Sequence, residues 1–209
     1  MSGQRKLTPR NQPIQQRAMA RRSQILTVTA DLLEEVGQDD LTTILVAKRV
    51  GISVGTLYHY FPNKYAIMHA LAEQWLGEMD IALQALESEA IEAYSVKKFV
   101  ERSVERMLGV YRNQQGLLPL VQAMYGVPEL KELDVMHDEL IIASMARMFK
   151  RMDISSESHE LRRLGRTYLE LSHALILVVV NQNKPDGIKT LNELKQLSLA
   201  LLERAKSAF

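Results

Sequence analysis

Residues 50–64 limit the fold of this chain most, because they concentrate helix-ending and helix-starting residues in a short stretch. They read VGISVGTLYHYFPNK and include Gly51, Ser53, Pro62 and Asn63. Glycine commonly ends helices, Ser and Asn cap helix starts, and proline is excluded from helix interiors. The segment therefore predicts a short helix ending near Gly51, a tight turn, and a second short helix ending before Pro62.

Apolar residues recur at helical spacing through the rest of the chain, and no segment shows the alternation of a β-strand. We predict helices at 25–36, 41–50, 53–61, 64–87, 96–113, 117–125, 129–152, 157–181 and 188–206. The fold class is therefore all-α. We predict a flexible basic arm (through Arg22) and a three-helix head over residues 1–65, followed by a helical body over residues 66–209.

Composition favours a globular protein of the cytoplasm that has no membrane partner. Hydrophobic residues make up 46% of the chain, charged residues 24%, and there is no Cys. The longest apolar run, 174–180, is far shorter than the roughly 20 residues of a membrane-spanning helix. Residues 1–64 carry nine Lys and Arg against five Asp and Glu, so their charge is +4, while the whole chain is +1. A basic head on an acidic body predicts a polyanion partner at one end.

The two short helices and their glycine turn form a helix-turn-helix, in which the second helix lies in the major groove of DNA. Leu57 and Phe61 are predicted to point inward. The remaining side chains of this helix would then face DNA: Val54, Gly55, Thr56, Tyr58, His59 and Tyr60. We predict in particular that Thr56, Tyr58 and Tyr60 share one exposed face.

Residues 41–64, LTTILVAKRVGISVGTLYHYFPNK, closely resemble the tetracycline-repressor (TetR) family. The shared features are the threonine pair, the alanine of the first short helix, Gly-x-Ser in the turn, Gly-Thr-Leu-Tyr, and the aromatic-Phe-Pro-Asn-Lys exit. The resemblance implies a homodimeric transcriptional regulator, usually a repressor, whose body binds a small effector. It also implies phosphate contacts by Thr43, with Thr42 as cap, and by Tyr60 and Lys64. Thr56 and Tyr58 would make groove contacts, while His59 fits either role.

The chain departs from the family where Ile44 and Leu45 occupy the exposed start of the first short helix, a place that is often polar or basic in the family. Our hypothesis is that Val54 and Ile44 contact thymine methyl groups and that DNA shape supplies further specificity. The complete predicted DNA-binding set is Thr42, Thr43, Ile44, Ser53, Val54, Gly55, Thr56, Tyr58, His59, Tyr60 and Lys64.

Apolar residues at three-four spacing mark the last two helices as a seam. The predicted seam residues are Leu161, Leu164, Tyr168, Leu171, Leu175, Val178, Leu191, Leu194 and Leu201. By analogy with the family, this seam is a four-helix dimer interface. The alternative, that the two helices cover only the core of their own chain, remains open from the sequence.

Polar-tipped or soft residues on otherwise apolar helices predict a pocket for a small, hydrophobic effector. They are Tyr111, Gln122, Met124, Tyr125, His137, Tyr168 and His173. Trp75 and Met79 lie on the long helix from Lys64, which spans head and body. An effector against them would tilt that helix.

Two other classes of protein compete with this interpretation. The pairs Asp134-x-x-His137 and Glu170-x-x-His173 have the spacing of di-iron bundle enzymes, which need two further carboxylate-bearing helices. The other class is a helical adaptor that binds only proteins, but the basic arm and the hydroxyl-aromatic face oppose it. We predict no enzymatic activity, no metal and no cofactor, with a DNA operator, a small effector and a second copy as partners.

Overall fold

The computed structural model describes residues 12–207, and residues 12–15 by their backbone alone. Over that range the chain forms nine α-helices and no strand, which confirms the all-α prediction. The helices are α1 (Gln12–Asp40), α2 (Thr43–Val50), α3 (Val54–Tyr60), α4 (Lys64–Glu87), α5 (Val96–Arg112), α6 (Leu117–Gly126), α7 (Pro128–Arg151), α8 (Ser158–Asn181) and α9 (Lys184–Ser207).

Two helices begin earlier than the sequence predicts. α1 begins at Gln12, so the prediction of a flexible arm was wrong for residues 12–22; the rest of the predicted arm lies outside the described residues. α9 begins at Lys184 and not at 188. Pro185 fits there, because a proline in the first helical turn lacks only an N–H that would have no helical partner.

The helix ends in the head follow the predicted capping residues. Thr42 Oγ1 accepts the N–H of Leu45 at 3.1 Å, and Asn63 Oδ1 accepts the N–H of Ala66 at 2.9 Å. Gly51 ends α2 in the left-handed region, with φ 77°. Gly37 interrupts α1 with φ 74° and ψ 178°, a conformation open mainly to glycine. These signals fix the short α2 and α3 at the lengths that a helix-turn-helix requires.

A continuous apolar core joins the head to the body. Leu32 of α1, Val46 of α2, Leu57 of α3 and Ile67 of α4 are all fully buried. α4 then continues into the body, where it packs against α5 and α7. One helix therefore contributes to both parts.

A second link between head and body is a close contact of α1 with the start of α6. Gly116, which precedes α6, has φ 66°. A Cβ at this position would lie 2.5 Å from the carbonyl oxygen of Ala30 in α1. Glycine is therefore required twice here, by the backbone conformation and by the close approach.

The body core contains several residues that we predicted at the dimer seam. Leu161, Leu164 and Leu194 are buried within the single chain. Tyr168 is fully buried between Phe99 and Phe149, and its hydroxyl lies 2.5 Å from Ser103 Oγ. The seam prediction was wrong for these four residues, because their sides of α8 and α9 face α5, α7 and each other.

No helix in the described part of the chain, residues 12–207, is long and apolar enough to cross a membrane.

Replacement of Gly116 by Ala should destabilise the fold by about 1–3 kcal/mol, the typical cost of a strained left-handed residue, and loosen the contact between α1 and α6. Gly109 is an exposed α5 position where a Cβ would meet nothing within 4 Å. Gly109→Ala should instead stabilise by about 0.5–1 kcal/mol. Urea unfolding of both variants checks this, and equal stability changes would contradict the role of Gly116.

Candidate nucleic-acid interface and interior cavity

The α2–α3 pair exposes most of the predicted DNA-binding residues. Ile44 is 67% exposed and Tyr58 is 51% exposed. Thr42, Ser53, Gly55, Thr56 and His59 are also exposed, whereas Thr43, Val54, Tyr60 and Lys64 are half-buried. Leu45, predicted to be exposed beside Ile44, packs against the core instead, so that prediction was wrong.

The exposed surface of α3 has two flanks, and the prediction of one shared face was wrong. Leu57 and Phe61 mark the buried side. At about 100° per residue, Thr56 and Tyr60 lie on one flank and Tyr58 lies on the other. Tyr60 also packs partly against the core. The two flanks would therefore meet different parts of a ligand.

Gly55 and His59 occupy the outermost line of α3, opposite the buried side, and both are exposed. Gly55 carries no side chain and permits close approach of a ligand to the backbone. His59 is therefore the side chain that reaches farthest from the core of the head.

Hydroxyl contacts hold the polar side chains of this surface in place. Thr43 Oγ1 and the Tyr58 hydroxyl lie 3.2 Å apart and connect the start of α2 to α3. Ser53 Oγ accepts the N–H of Thr56 at 3.0 Å and lies 2.8 Å from Thr56 Oγ1. These donors and acceptors are thus positioned before any ligand arrives.

Two cations of the head already have partners. Arg49 binds Glu35 through two hydrogen bonds of 2.9 and 2.8 Å, and its guanidinium holds the pKa of Glu35 below the usual range. Lys64 Nζ donates to the carbonyl oxygens of Gln38 at 3.0 Å and Asp39 at 3.4 Å. An ammonium has three N–H groups, so Lys64 retains one for a further acceptor.

A small cavity of about 30 Å³ lies in the body between α4, α5, α7 and α8. Five predicted effector residues line it: Trp75, Met79, Tyr111, His137 and His173. Six further residues line the cavity and were not predicted from the sequence to line a pocket. They are Leu76, Met107, Asp134, Asp138, Ile141 and Leu169. Asp138 follows Asp134 by one helical turn, and that spacing was the signal available for finding it.

Other predicted effector residues lie elsewhere. Gln122 faces solvent on α6, Met124 is buried outside the cavity lining, and Tyr168 is in the body core, so the prediction was wrong for these three. Tyr125 is 64% exposed. Its pKa is raised by partial burial and by the charges of Asp134 and Glu170, and it is not among the residues that line the cavity.

Polar contacts inside the cavity pair most of its imidazole and phenol groups. The Tyr111 hydroxyl lies 2.5 Å from His173 Nδ1. His137 Nε2 lies 3.0 Å from Asp80 Oδ1 and 3.1 Å from the carbonyl oxygen of Leu76. Burial raises the pKa of Tyr111 and lowers that of His173, so both rings favour their neutral forms.

Burial also raises the pKa of both cavity carboxyls. The pKa of Asp138 rises to about 6, through burial first and then through repulsion by Asp134 and Glu170. The pKa of Asp134 is raised by burial, although the nearby His173 and His137 oppose the shift. Near neutral pH the site thus holds negative charge in poorly solvated surroundings.

The residues of the di-iron pattern do not converge as ligands. Among residues 12–207, no group of three or more His, Asp or Glu side chains is placed to hold a metal ion. The ring nitrogens described above contact Asp80, the Leu76 carbonyl and Tyr111 instead.

A larger outer cleft of about 580 Å³ lies beside the cavity, between α1, α6, α8 and α9. Glu34 of α1, Gly116 and Val179 of α8 line it, and so does Tyr111. Tyr111 is the residue that the lining of the outer cleft and the lining of the cavity have in common.

The outer face of α8 and α9 remains apolar and uncovered in the single chain. Val178 is 41% exposed and Leu197 is 51% exposed. The predicted seam residues Leu171, Leu175, Leu191 and Leu201 are only partly buried. These six residues form what we call the outer α8–α9 face.

Two family models match this chain. The model described as "Bacterial regulatory proteins, tetR family" matches residues 25–71, and the model described as "Tetracyclin repressor-like, C-terminal domain" matches residues 95–202. The first match contains α2, α3 and the start of α4. The second extends from just before α5 into α9.

Curated relatives match over part of their length. HTH-type transcriptional regulator BetI 1 of Chromohalobacter salexigens is 23% identical over 135 residues, which are 63% of this chain and 66% of that protein. Tetracycline repressor protein class A from transposon 1721, of Escherichia coli, is 46% identical over 54 residues, or 26% of this chain and 25% of that protein. The matches therefore span just under two thirds and one quarter of these relatives.

Solved structures share the fold along most of the chain. A TetR-like transcriptional regulator from Rhodococcus sp. RHA1 has a TM-score of 0.65 and 16% identity, covering 97% of this chain and 100% of that one. A TetR-family transcriptional regulator from Streptomyces coelicolor has a TM-score of 0.60 and 23% identity, covering 88% of this chain and 99% of that one. At these identities the likeness establishes the fold.

The exposed Ile44 side chain should contact a thymine methyl group when the head binds DNA. Replacing that thymine by uracil should weaken binding about fourfold, the value of one methyl group, which contributes about 0.8 kcal/mol. Ile44→Ala should remove this sensitivity while leaving stability nearly unchanged. Binding to a duplex selected from random sequence, with each thymine replaced in turn, measures both effects. Equal affinity at every position would contradict the assignment.

Proposed function

This chain belongs to the tetR family of bacterial regulatory proteins, and on that premise we propose that it binds a near-palindromic DNA operator as a homodimer and represses transcription until a small effector binds its body. Members of this family are transcriptional regulators and not enzymes. The observation that carries the proposal is the α2–α3 pair, whose second helix is exposed between the Gly51 turn and the Asn63 cap.

The DNA contacts follow from the geometry of α3. Gly55 and His59 would enter the major groove, because they lie opposite the buried side of α3. Thr56 and Tyr58 reach base edges or sugar from the two flanks, with Val54 beside Gly55 at the start of the helix. The positioning contacts to phosphate come from Thr42, Thr43, Tyr60 and Lys64, while Ser53 holds Thr56.

Dimerisation follows from the outer α8–α9 face. A large uncovered apolar surface marks an interaction site in a protein without a membrane partner. Pairing this face with its copy would bury Val178, Leu197 and their neighbours in a four-helix bundle. Two copies of α3 would then read half-sites roughly one helical turn of DNA apart, about 34 Å, and this requires a near-palindromic operator.

The effector acts through α4 in this proposal. Trp75 and Met79 of α4 line the cavity, while Lys64, at the start of the same helix, belongs to the head. A ligand that displaces the cavity wall shifts α4 and changes the separation of the two α3 helices. We place the boundary between head and body at residue 65, and we expect the protein to act on DNA in the cytoplasm.

Lys64→Ala should make the salt dependence of operator binding shallower by about one unit for each protomer bound, because one phosphate contact is lost. A purely structural effect, through the lost bonds to Gln38 and Asp39, would weaken binding without changing that slope. Filter binding at several salt concentrations separates the two. The control is Lys150→Ala. Lys150 is an exposed cation near the C-terminal end of α7, and its loss should leave the slope unchanged. An unchanged slope for Lys64→Ala would remove it from the contact set.

Val178→Asp should convert the dimer to monomers, because it places a charge at the centre of the proposed bundle. Ile81→Asp puts the same charge on α4 at a position 68% exposed, and should leave the dimer intact. Sedimentation velocity at micromolar concentration distinguishes the two species. A Val178→Asp variant that stays dimeric, or a monomeric parent protein that binds operator, would contradict the proposed interface.

A further inference from the structure

The acidic side of the cavity forms no ion pair with any of the described residues. Asp134 and Asp138 stand one turn apart on α7 and both line the cavity. Within the described residues, neither carboxylate has a hydrogen bond or an ion pair, although both are partly buried. Unpaired carboxylates are costly in such surroundings, and both pKa values are raised.

Neighbouring charges increase this imbalance. Glu170 of α8 adds negative charge close enough to raise the pKa of both aspartates. Arg166, whose charge opposes the shift in the pKa of Asp138, already donates to Glu139 at 2.5 Å. The histidines of the cavity do not supply the missing charge either, since His137 contacts Asp80 and burial favours the neutral form of His173.

Two aromatic rings, Trp75 and Tyr111, also line the cavity. Trp75 and Tyr111 meet edge to face, with centroids 5.5 Å apart and planes at 83°. Two perpendicular rings beside carboxylates provide both components of organic-cation recognition, a negatively charged partner and π faces.

One hydrogen-bond donor in the same wall has no acceptor. Trp75 is only 4% exposed and lines the cavity, and its Nε1–H is buried without a partner. Buried donors are nearly always paired, so each exception calls for an explanation. A ligand oxygen in the cavity would satisfy this N–H.

We propose that the effector is a small organic cation, an amine or quaternary ammonium ion, that also carries an oxygen acceptor for Trp75. This inference rests on the proposed function and names the ligand class of the same site. The purely hydrophobic effector predicted from the sequence would leave Asp134 and Asp138 buried without a partner, and an anion would be repelled. Only a cation that also carries an acceptor would supply both a counter-charge to the carboxylates and a partner for the Trp75 N–H.

Ligand entry requires the cavity to open, because about 30 Å³ holds little more than a water molecule. Tyr111 lines both the cavity and the outer cleft of about 580 Å³. Rotation of its ring, with loss of the contact to His173, would join the two spaces. The joined volume lies within the roughly 300–1,000 Å³ typical of small-molecule sites.

The test uses probes of nearly identical shape on the full-length protein. They are methoxyethyl-trimethylammonium, its neutral isostere with carbon in place of nitrogen, and tetramethylammonium, which lacks the oxygen. Trp75 is the single tryptophan of the chain, so its emission reports directly on the cavity. We expect the methoxy cation to change the emission and to bind at least about tenfold more tightly than the isostere or tetramethylammonium.

Variants assign the effect to residues. Asp134→Asn and Asp138→Asn should each weaken binding of the methoxy cation about tenfold in calorimetry, because each removes a counter-charge. Glu132→Gln, an exposed residue of α7, removes the same charge outside the cavity and should not. Trp75→Phe should abolish the preference for the methoxy cation over tetramethylammonium. The probe comparison on the parent protein stands even if an aspartate variant folds poorly.

Two outcomes overturn the inference: no response to either cation, or equal affinity for the cation and its neutral isostere. Operator binding is measured separately without any probe. If the free protein binds its operator and the cation fails, the ligand class is wrong while the proposed function stands. If the cation binds and no operator is found, the proposed function fails.

Discussion

The structure depends on one helix that belongs to both halves of the molecule. Asn63 caps the start of α4, Ile67 and Met68 near that end are fully buried, and further along the same helix Trp75, Leu76 and Met79 form one wall of the cavity. A hydrogen-bonded helix transmits displacement along its axis and over its length. This continuity is why we propose that occupancy of the cavity changes the orientation of α2 and α3.

The contact of α1 with Gly116 gives the head a second attachment. The backbone at Gly116 lies so close to that of Ala30 that there is no room for a Cβ, so a shift of α6 would press directly on α1. Tyr111 adjoins this junction as well as the cavity. A ligand that turns the Tyr111 ring would act on α4 and on the α1–α6 contact at once. Two attachments at different points favour rotation of the head over simple translation.

Local signals in the sequence predicted the local structure well. Thr42, Ser53 and Asn63 cap helices because each supplies a side-chain oxygen to an otherwise unpaired N–H, and this chemistry is independent of the rest of the fold.

The seam was only partly predictable. Periodicity shows that Leu164 and Val178 both lie on apolar surfaces of α8. Whether each is covered by the chain's own core or by another copy depends on tertiary packing.

The face of α3 was misassigned because Tyr58 follows Thr56 by two residues, a separation that places side chains on opposite flanks of a helix. Asp138 escaped prediction for another reason: a charged residue on an amphipathic helix normally faces solvent, and only assembly of α4, α7 and α8 shows that it lines a cavity.

Coupling through α4 is the central claim, and a distance between the two heads of the proposed dimer tests it most directly. The chain contains no Cys, so Lys48→Cys on the exposed side of α2 gives one spin label for each protomer. Double electron–electron resonance then measures the separation of the heads. The account predicts that saturating organic cation shifts this distance distribution as operator is released. Release of operator with an unchanged distribution would contradict it.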